Sequence, residues 1–176
     1  TLRSLALDDA PFVDGSAALA ARAEQLAWAP DYRWLYDPRR ELLHIGALLD
    51  ASNGSEQLDI NHYDMLCSEA RLASLVAIAK GDLPARHWAR LKRPTFAQGA
   101  DVGLQSWSGS MFEYLMPTLL VDEPAGSLLH AATQVAVAMQ REQGREWDLP
   151  WGISECAHAE RDASLAYQYG PQGAPA

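Results

Sequence analysis

The sequence predicts an all-α fold with one small β-hairpin, and three observations support this. Apolar side chains recur at helical spacing in several long stretches of the chain. Serine, glycine and proline, which start or stop helices, stand at the ends of these stretches. The connections between the stretches are irregular and show no repeat at a solenoid period.

The predicted elements of the first half are bounded by residues that start or end regular structure. Ser16 can cap a helix that Pro30 stops, and Gly81 is well placed as the C-terminal cap of another. An Asp-Pro-Arg-Arg turn separates two short apolar runs. The elements are a helix at 17–29, a hairpin with strands at 34–36 and 42–45, a loop at 52–55, and a helix at 61–80.

The second half is predicted to hold a polar connection and three further helices. Pro117 kinks or ends the first of them because proline lacks an amide hydrogen, and Gly144 follows the second. The elements are a polar stretch at 81–103, a helix from Ser106 or Ser108 to 117, a helix at 127–143, and a short helix starting at Ser154.

Composition excludes several classes of protein. A chain of 176 residues suits one domain, and 14 basic against 23 acidic side chains give a net charge of −9, which argues against nucleic-acid binding. We find no apolar run of membrane-spanning length and no signal pattern. Both ends look cut, so we expect one soluble, cytoplasmic fragment, residues 1–176, truncated at both ends.

Three glutamates stand inside apolar stretches, where a carboxylate is costly to bury unless it is paired or protonated. Glu69 would have apolar neighbours on its helix, Glu113 lies in a Met-Phe-Glu-Tyr-Leu run, and Glu155 follows a Trp-Gly turn. A purely structural role for each acid stays open. Trp107, Tyr114 and Trp151 lie near these acids and would suit either a core or a sugar site.

Other chemistry finds less support in the sequence. The nucleotide, hydrolase-serine and metalloprotease motifs are missing, and the five histidines show no metal-ligand spacing, so we expect no metal and no cofactor. Cys67 and Cys156 are predicted to be buried and unreactive. A pair of carboxyl groups, by contrast, is what the cleavage of a glycosidic bond needs.

Six motifs follow one another in a specific order along the chain. The longest are YDMLCSEARLAS at 63–74, SWSGSMFEYLMP at 106–117 and PWGISE at 150–155, with shorter ones at 34–46, 77–82 and 167–169. From about residue 28 to residue 176 the chain resembles the glucoamylase-like domain of bacterial cyclic β-1,2-glucan synthases.

This resemblance implies a large membrane protein in which the domain closes linear β-1,2-glucan into a ring by retaining transglycosylation. It implies an (α/α)6 toroid, of which the chain would form a part. It also implies a place on the cytoplasmic side of the inner membrane. The partners would be β-1,2-linked glucan and the other domains of the same protein.

The resemblance also implies the site residues. The catalytic pair falls on Glu69 and Glu155, and the cleft would be lined by Glu113, Tyr63, Asp64, Arg71, Trp107 and Trp151. We expect Glu155 to be the acid/base and Glu69 the nucleophile, although an apolar setting would suit Glu69 to the acid role.

Two other functions remain open at this stage. One is an endo-β-1,2-glucanase-like hydrolase, and the other is a non-catalytic helical module that binds glucan or packs against neighbouring domains. We expect the isolated fragment to be inactive. We also expect it to self-associate through the face that the rest of the toroid would cover.

Overall fold

The computed structural model of the chain describes residues 10–50, 52–170 and 172–174. Within the described residues the structure contains both helices and strands, and the strands form four small antiparallel sheets. The predicted all-α fold, and with it the partial (α/α)6 toroid, is therefore wrong, and the fold is mixed α and β. The reason is that several segments pair their backbone groups with a neighbouring segment instead of forming helical hydrogen bonds.

The helices and strands are numbered here in chain order. The helices are α1 (Ala10–Trp28), α2 (Arg71–Lys80), α3 (Arg86–Arg90), α4 (Met111–Leu115) and α5 (Leu128–Glu146), with 3₁₀ turns at Arg33–Leu35 and Met116–Leu119. The strands are β1 (Tyr36–Asp37), β2 (Leu42–His44), β3 (Ala47–Leu49), β4 (Glu56–Leu58), β5 (His62–Tyr63), β6 (Thr95–Gln98), β7 (Asp101–Leu104), β8 (Cys156–Arg161) and β9 (Tyr167–Gly170).

The first helix is longer than predicted, and its predicted apolar face is open to solvent. Because α1 begins at Ala10, Ser16 lies within the helix and does not cap it. The side chains of Leu19 and Leu26 are 70% and 58% exposed. They therefore lie outside the core that the helical spacing predicted for them.

The predicted hairpin forms and gains a third strand, but its first strand begins only at Tyr36, because Trp34 and Leu35 lie in a 3₁₀ turn. Tyr36 of β1 faces Leu43 of β2, and Leu43 also faces Tyr63 of β5 on the other edge. The loop predicted at 52–55 forms the turn of a second hairpin, β3–β4, whose strands the sequence did not indicate. Gly54 supplies the positive φ of 69° that this turn needs.

Of the helix predicted at 61–80, only the last ten residues are helical, because α2 begins at Arg71. The preceding segment lies instead beside Lys92, whose backbone N–H donates to the carbonyl of Asp64 (2.6 Å) and whose carbonyl accepts from the amide of Leu66 (2.9 Å). Gly81 ends the helix with a φ of 81°, as predicted.

Glu69 consequently lies in an irregular segment just before α2. The hydroxyl of Ser68 accepts a hydrogen bond from the backbone N–H of Ala70 (3.1 Å), a local bond that competes with helix formation. The helical neighbours that we assigned to Glu69 are therefore wrong. Its side chain is nonetheless half-buried.

The polar stretch at 81–103 contains regular structure that the sequence analysis missed. It holds α3 and the β6–β7 hairpin, in which Phe96 lies opposite Gly103. A Cβ atom at Gly103 would come within 2.6 Å of the Phe96 ring, so only glycine lets this ring lie across the neighbouring strand.

The two later helices are placed correctly but their ends differ. The helix predicted from Ser106 or Ser108 begins only at Met111, after an N-cap at Ser110. Ser127 caps α5 as expected, and α5 continues past Gly144, where a Cβ atom would lie 2.9 Å from the carbonyl oxygen of Leu149. Gly144 is therefore a site of close backbone approach.

The helix predicted from Ser154 is wrong, because this region forms the β8–β9 hairpin. In a short two-stranded ribbon with exposed side chains, apolar and polar residues do not alternate clearly along the strands. The strand signal in the sequence is therefore weak, which explains the error. A cluster of buried side chains joins β7, α4 and α5 to the segments before α2 and after α3: Leu66, Cys67, Leu91, Leu104, Met111, Tyr114, Ala132 and Ala136. None of the described helices is long and apolar enough to span a membrane.

Candidate active site

The carboxylate of Glu113 organises the loop that precedes α4. Ser110 and Glu113 form a capping box, and the Glu113 side chain also accepts from the hydroxyls of Ser106 (3.1 Å) and Ser108 (2.5 Å) and from the backbone amide of Trp107 (2.7 Å). Glu113 is 2% exposed, so these bonds offset the cost of burying its carboxylate. The contacts show how Glu113 shapes the loop that carries Trp107.

Arg71 ties the segment containing Glu69 to α4. Its guanidinium is buried and donates to the backbone carbonyls of Ser68 (3.0 Å), Glu113 (2.9 Å) and Tyr114 (3.0 Å). It also forms an ion pair of 2.8 Å with the carboxylate of Glu123. Arg71 was predicted to line the cleft. Its guanidinium is instead buried and bonded to other groups of the protein.

The carboxyl group of Glu69 has a raised pKa. Burial raises the pKa of its carboxyl group above the usual range, and the charges of Glu113 and Glu155 raise it further. Hydrogen bonds from its own backbone amide and from the Ser68 hydroxyl (3.3 Å) act in the opposite direction but do not cancel the increase. Glu69 therefore holds its proton to a higher pH than an ordinary glutamate.

Tyr63 lies close to both predicted catalytic glutamates. Burial raises the pKa of its phenol, and the charges of Glu69 and Glu155 contribute to the same increase. Such electrostatic effects fall off with distance, so they indicate that the three side chains share one region of the protein. Tyr63 and Glu69 therefore lie within electrostatic reach of Glu155, and Glu69 also lies within reach of the buried Glu113.

Glu155 is held next to α4 by the segment before it. The amide and carbonyl of Ile153 bond to the buried side chain of Gln140 on α5 (2.8 and 3.1 Å), and the same carbonyl accepts from the amide of Met111 (2.9 Å). Ser154 accepts from the amide of Phe112 (3.1 Å). Glu155 is therefore positioned by α4 and α5 and not by the helix that we predicted for it.

Tyr169 is a residue that the sequence analysis did not place in the site. Its hydroxyl donates a hydrogen bond to the carboxylate of Glu155, and this bond is the largest cause of the raised pKa of Tyr169. The two residues meet because β9 returns alongside β8. Their pairing could have been found only by recognising this hairpin in the sequence.

The remaining predicted site residues lie around these acids with different exposure. The indoles of Trp107 and Trp151 are 53% and 49% exposed, so both offer a ring face to a ligand. Trp151 lines a groove of 930 Å³ together with Arg141, Arg145 and Asp148, and the three glutamates are not among its lining residues. The groove is therefore a separate feature from the three glutamates.

Asp64 and the two cysteines complete the predicted set. The carboxylate of Asp64 pairs with the ammonium of Lys92 at 2.5 Å, next to the backbone bridge between Met65 and Lys92. Cys67 is buried as predicted, and burial raises the pKa of its thiol to about 12, which keeps it unreactive. Cys156 is exposed, so the prediction of burial is wrong there.

Comparison with known proteins gives one informative match. No protein-family model matches the chain. Over 157 residues, or 89% of its length, the chain is 48% identical to the cyclic beta-(1,2)-glucan synthase NdvB of Rhizobium meliloti (strain 1021). The chain is similar to one segment of that synthase. It spans 5% of the length of NdvB, and the match supports the interpretation of the chain as a fragment of such an enzyme.

Proposed function

We propose that the chain is part of a cyclic β-1,2-glucan synthase and carries the two carboxyl groups with which that enzyme closes linear glucan into a ring. The observation that carries this proposal is that the charge of Glu155 raises the pKa of both Glu69 and Tyr63, which puts the three side chains in one region. The similarity to NdvB supports the substrate class. The parent would then be a glycosyltransferase-type enzyme that acts on β-1,2-linked glucan.

We assign the proton-donor role to Glu69 and the nucleophilic role to Glu155. The raised pKa of Glu69 suits a group that must be protonated before it can act as an acid. Glu155 accepts a hydrogen bond from the hydroxyl of Tyr169, which orients one carboxylate oxygen and leaves the other available for attack. These roles are the reverse of those that the sequence alone suggested.

The proposed reaction is a retaining transglycosylation in two steps. Glu155 attacks the anomeric carbon of a linear β-1,2-glucan while Glu69 gives its proton to the departing glycosidic oxygen. A hydroxyl at the non-reducing end of the same chain then attacks the glucosyl ester, and Glu69 takes up the hydroxyl proton. The ester bond breaks, a new glycosidic bond closes the ring, and both glutamates return to their starting states.

The assignment of acid and nucleophile can be tested with azide. The test compares the anomers of the glycosyl azides that two variants of the whole synthase form. With Glu155→Ala and a β-1,2-glucan carrying an aryl leaving group, azide is expected to replace the missing nucleophile and form an α-glycosyl azide. With Glu69→Ala, azide should instead displace the intact glucosyl ester and form a β-glycosyl azide. NMR distinguishes the two anomers. Exchanged anomers would reverse the roles, and wild-type cyclisation by both variants would contradict the proposed function.

Trp107→Ala is expected to weaken binding of linear β-1,2-glucan to the 176-residue chain by about tenfold, since the exposed indole would lose its stacking with sugar C–H faces. Isothermal titration calorimetry measures this change. Trp28→Ala is the matched control, because Trp28 is also half-exposed (51%) but lies at the end of α1. An equal loss in both variants would show that the effect is not specific to the site.

The proposal also covers the group that completes the reaction and the domains that the chain contacts. Water in place of the sugar hydroxyl would make the parent a hydrolase, and linear products alone would identify it. Contact with other domains of the same protein is supported by exposed apolar side chains, with Leu119 and Leu120 81% and 75% exposed. Self-association of the isolated chain, and its lack of activity, stay predictions.

A further inference from the structure

The three-stranded sheet brings together three side chains that lie far apart in the sequence. His44 and His62 face each other in the β2–β5 pairing, with ring centroids 4.2 Å apart. Asp37 comes from β1 on the other edge of β2, and its Oδ2 lies 3.3 Å from Nε2 of His62. One ligand atom from each of the three residues lies within 4.8 Å of the others.

We propose that Asp37, His44 and His62 form a binding site for a divalent first-row transition metal, with Zn²⁺ as the expected ion. Two imidazole nitrogens and one carboxylate oxygen are a donor set that suits such ions, whereas Mg²⁺ and Ca²⁺ favour oxygen ligands throughout. Three protein ligands would leave a fourth position of a tetrahedral ion for water.

The first support is a buried nitrogen without a hydrogen bond. His62 is 7% exposed, and its Nε2 finds no hydrogen-bond partner among the residues that the structure describes. Its approach to Asp37 misses the geometry of a hydrogen bond even at 3.3 Å. Leaving a buried polar atom unsatisfied is unfavourable, and coordination to a metal would remove that cost.

The second support is that hydrogen bonds to the backbone already orient the other two ligands, His44 and Asp37. Nδ1 of His44 lies 2.5 Å from the carbonyl oxygen of Asp59, so it donates its proton there and leaves Nε2 as the free ligand atom. Oδ1 of Asp37 accepts from the backbone amides of Arg39 (2.8 Å) and Arg40 (3.2 Å), while Oδ2 lies 3.3 Å from Nε2 of His62 and 3.8 Å from the exposed guanidinium of Arg40. Hydrogen bonds of this kind from a ligand to the backbone are typical of metal sites.

Only a small movement of the side chains is needed to bring the three ligand atoms to the spacing of a tetrahedral site. Bonds of about 2.1 Å at tetrahedral angles place ligand atoms about 3.4 Å apart. The Asp37–His62 pair already has nearly that separation, and the half-buried His44 needs only a modest side-chain movement to complete the set. A bound ion would join β1, β2 and β5, and would therefore restrain Tyr63, which follows His62 directly in β5.

Titration of the metal-free, tag-free 176-residue chain with ZnCl₂ tests the site. We expect saturable binding at micromolar Zn²⁺ and at least about tenfold weaker binding by His44→Ala, which removes a partly exposed ligand without opening the core. Co²⁺ should give the intense visible absorption of a tetrahedral ion in the wild type, and this absorption should be lost in the variant.

Two further variants make the result specific. Asp37→Asn keeps the size of the side chain and should also weaken Zn²⁺ binding, whereas His130→Ala, which changes a histidine on α5, should bind like the wild type. Circular dichroism would confirm that each variant is folded. The proposal is overturned if the wild type does not bind Zn²⁺, or if folded His44→Ala and Asp37→Asn bind it as tightly as His130→Ala does.

Discussion

Replacing Glu69 by glutamine in the whole synthase is expected to lower the rate of cyclic glucan formation by about 10²–10⁴-fold, the usual contribution of a general acid. Glutamine matches the size of the side chain and keeps a hydrogen-bonding oxygen near Ser68, but it has no proton to give to the departing sugar. Because an aryl leaving group needs less protonation, the variant should lose much less activity on such a substrate. Mass spectrometry of cyclic and linear products measures both effects.

The control for Glu69→Gln is Glu146→Gln, at an exposed position near the end of α5. This change makes the same substitution outside the site and should leave cyclisation at the wild-type rate. In the wild type, activity should fall as the pH rises through the raised pKa of Glu69, because the acid must be protonated to act. Cyclic product at the wild-type rate from Glu69→Gln would remove this residue from the mechanism.

Arg71→Ala is expected to destabilise the chain by about 3–5 kcal/mol, the cost of breaking a buried ion pair by removing one partner. The substitution leaves the Glu123 carboxylate, which is 8% exposed, without its guanidinium. It also leaves the backbone carbonyls of Glu113 and Tyr114 without the donors that they now have. Urea unfolding followed by circular dichroism gives the free energy of unfolding.

Two comparisons make the Arg71 result interpretable. Arg145→Ala removes an exposed arginine from α5 and should change the stability by no more than about 0.5 kcal/mol. Arg71→Lys keeps the positive charge but loses the planar fork that contacts several acceptors at once, so its stability should lie between the wild type and Arg71→Ala. A loss below about 1 kcal/mol in Arg71→Ala would contradict the structural role assigned to this residue.

The fold was predictable where local signals act alone. Ser127 caps α5 and Gly81 ends α2, and both positions follow from side-chain and backbone preferences that need no distant partner. The start of α2 was not predictable in this way, because Lys92, which bonds to the residues before it, lies far along the chain. The same limit explains the missed β8–β9 hairpin.

The candidate site shows a similar division. An acid within an apolar run drew attention to Glu69, which is half-buried with a raised pKa, although the helix used in that argument begins only after it, at Arg71. Its partners were less accessible to sequence reasoning. Tyr169 meets Glu155 only through strand pairing, and His44 meets His62 only through the register of β2 and β5. Such neighbours have no fixed spacing that a motif search would detect.

The side chain of Gln140 links two loops of the site, those that contain Gly109 and Ile153. Its amide nitrogen donates to the carbonyls of Gly109 (2.8 Å) and Ile153 (3.1 Å), and its oxygen accepts from the amide of Ile153 (2.8 Å). These are contacts to backbone only, so they do not depend on which side chains the two loops carry. Evolution can therefore alter the surface that meets the substrate while α5 preserves the spacing between the loops.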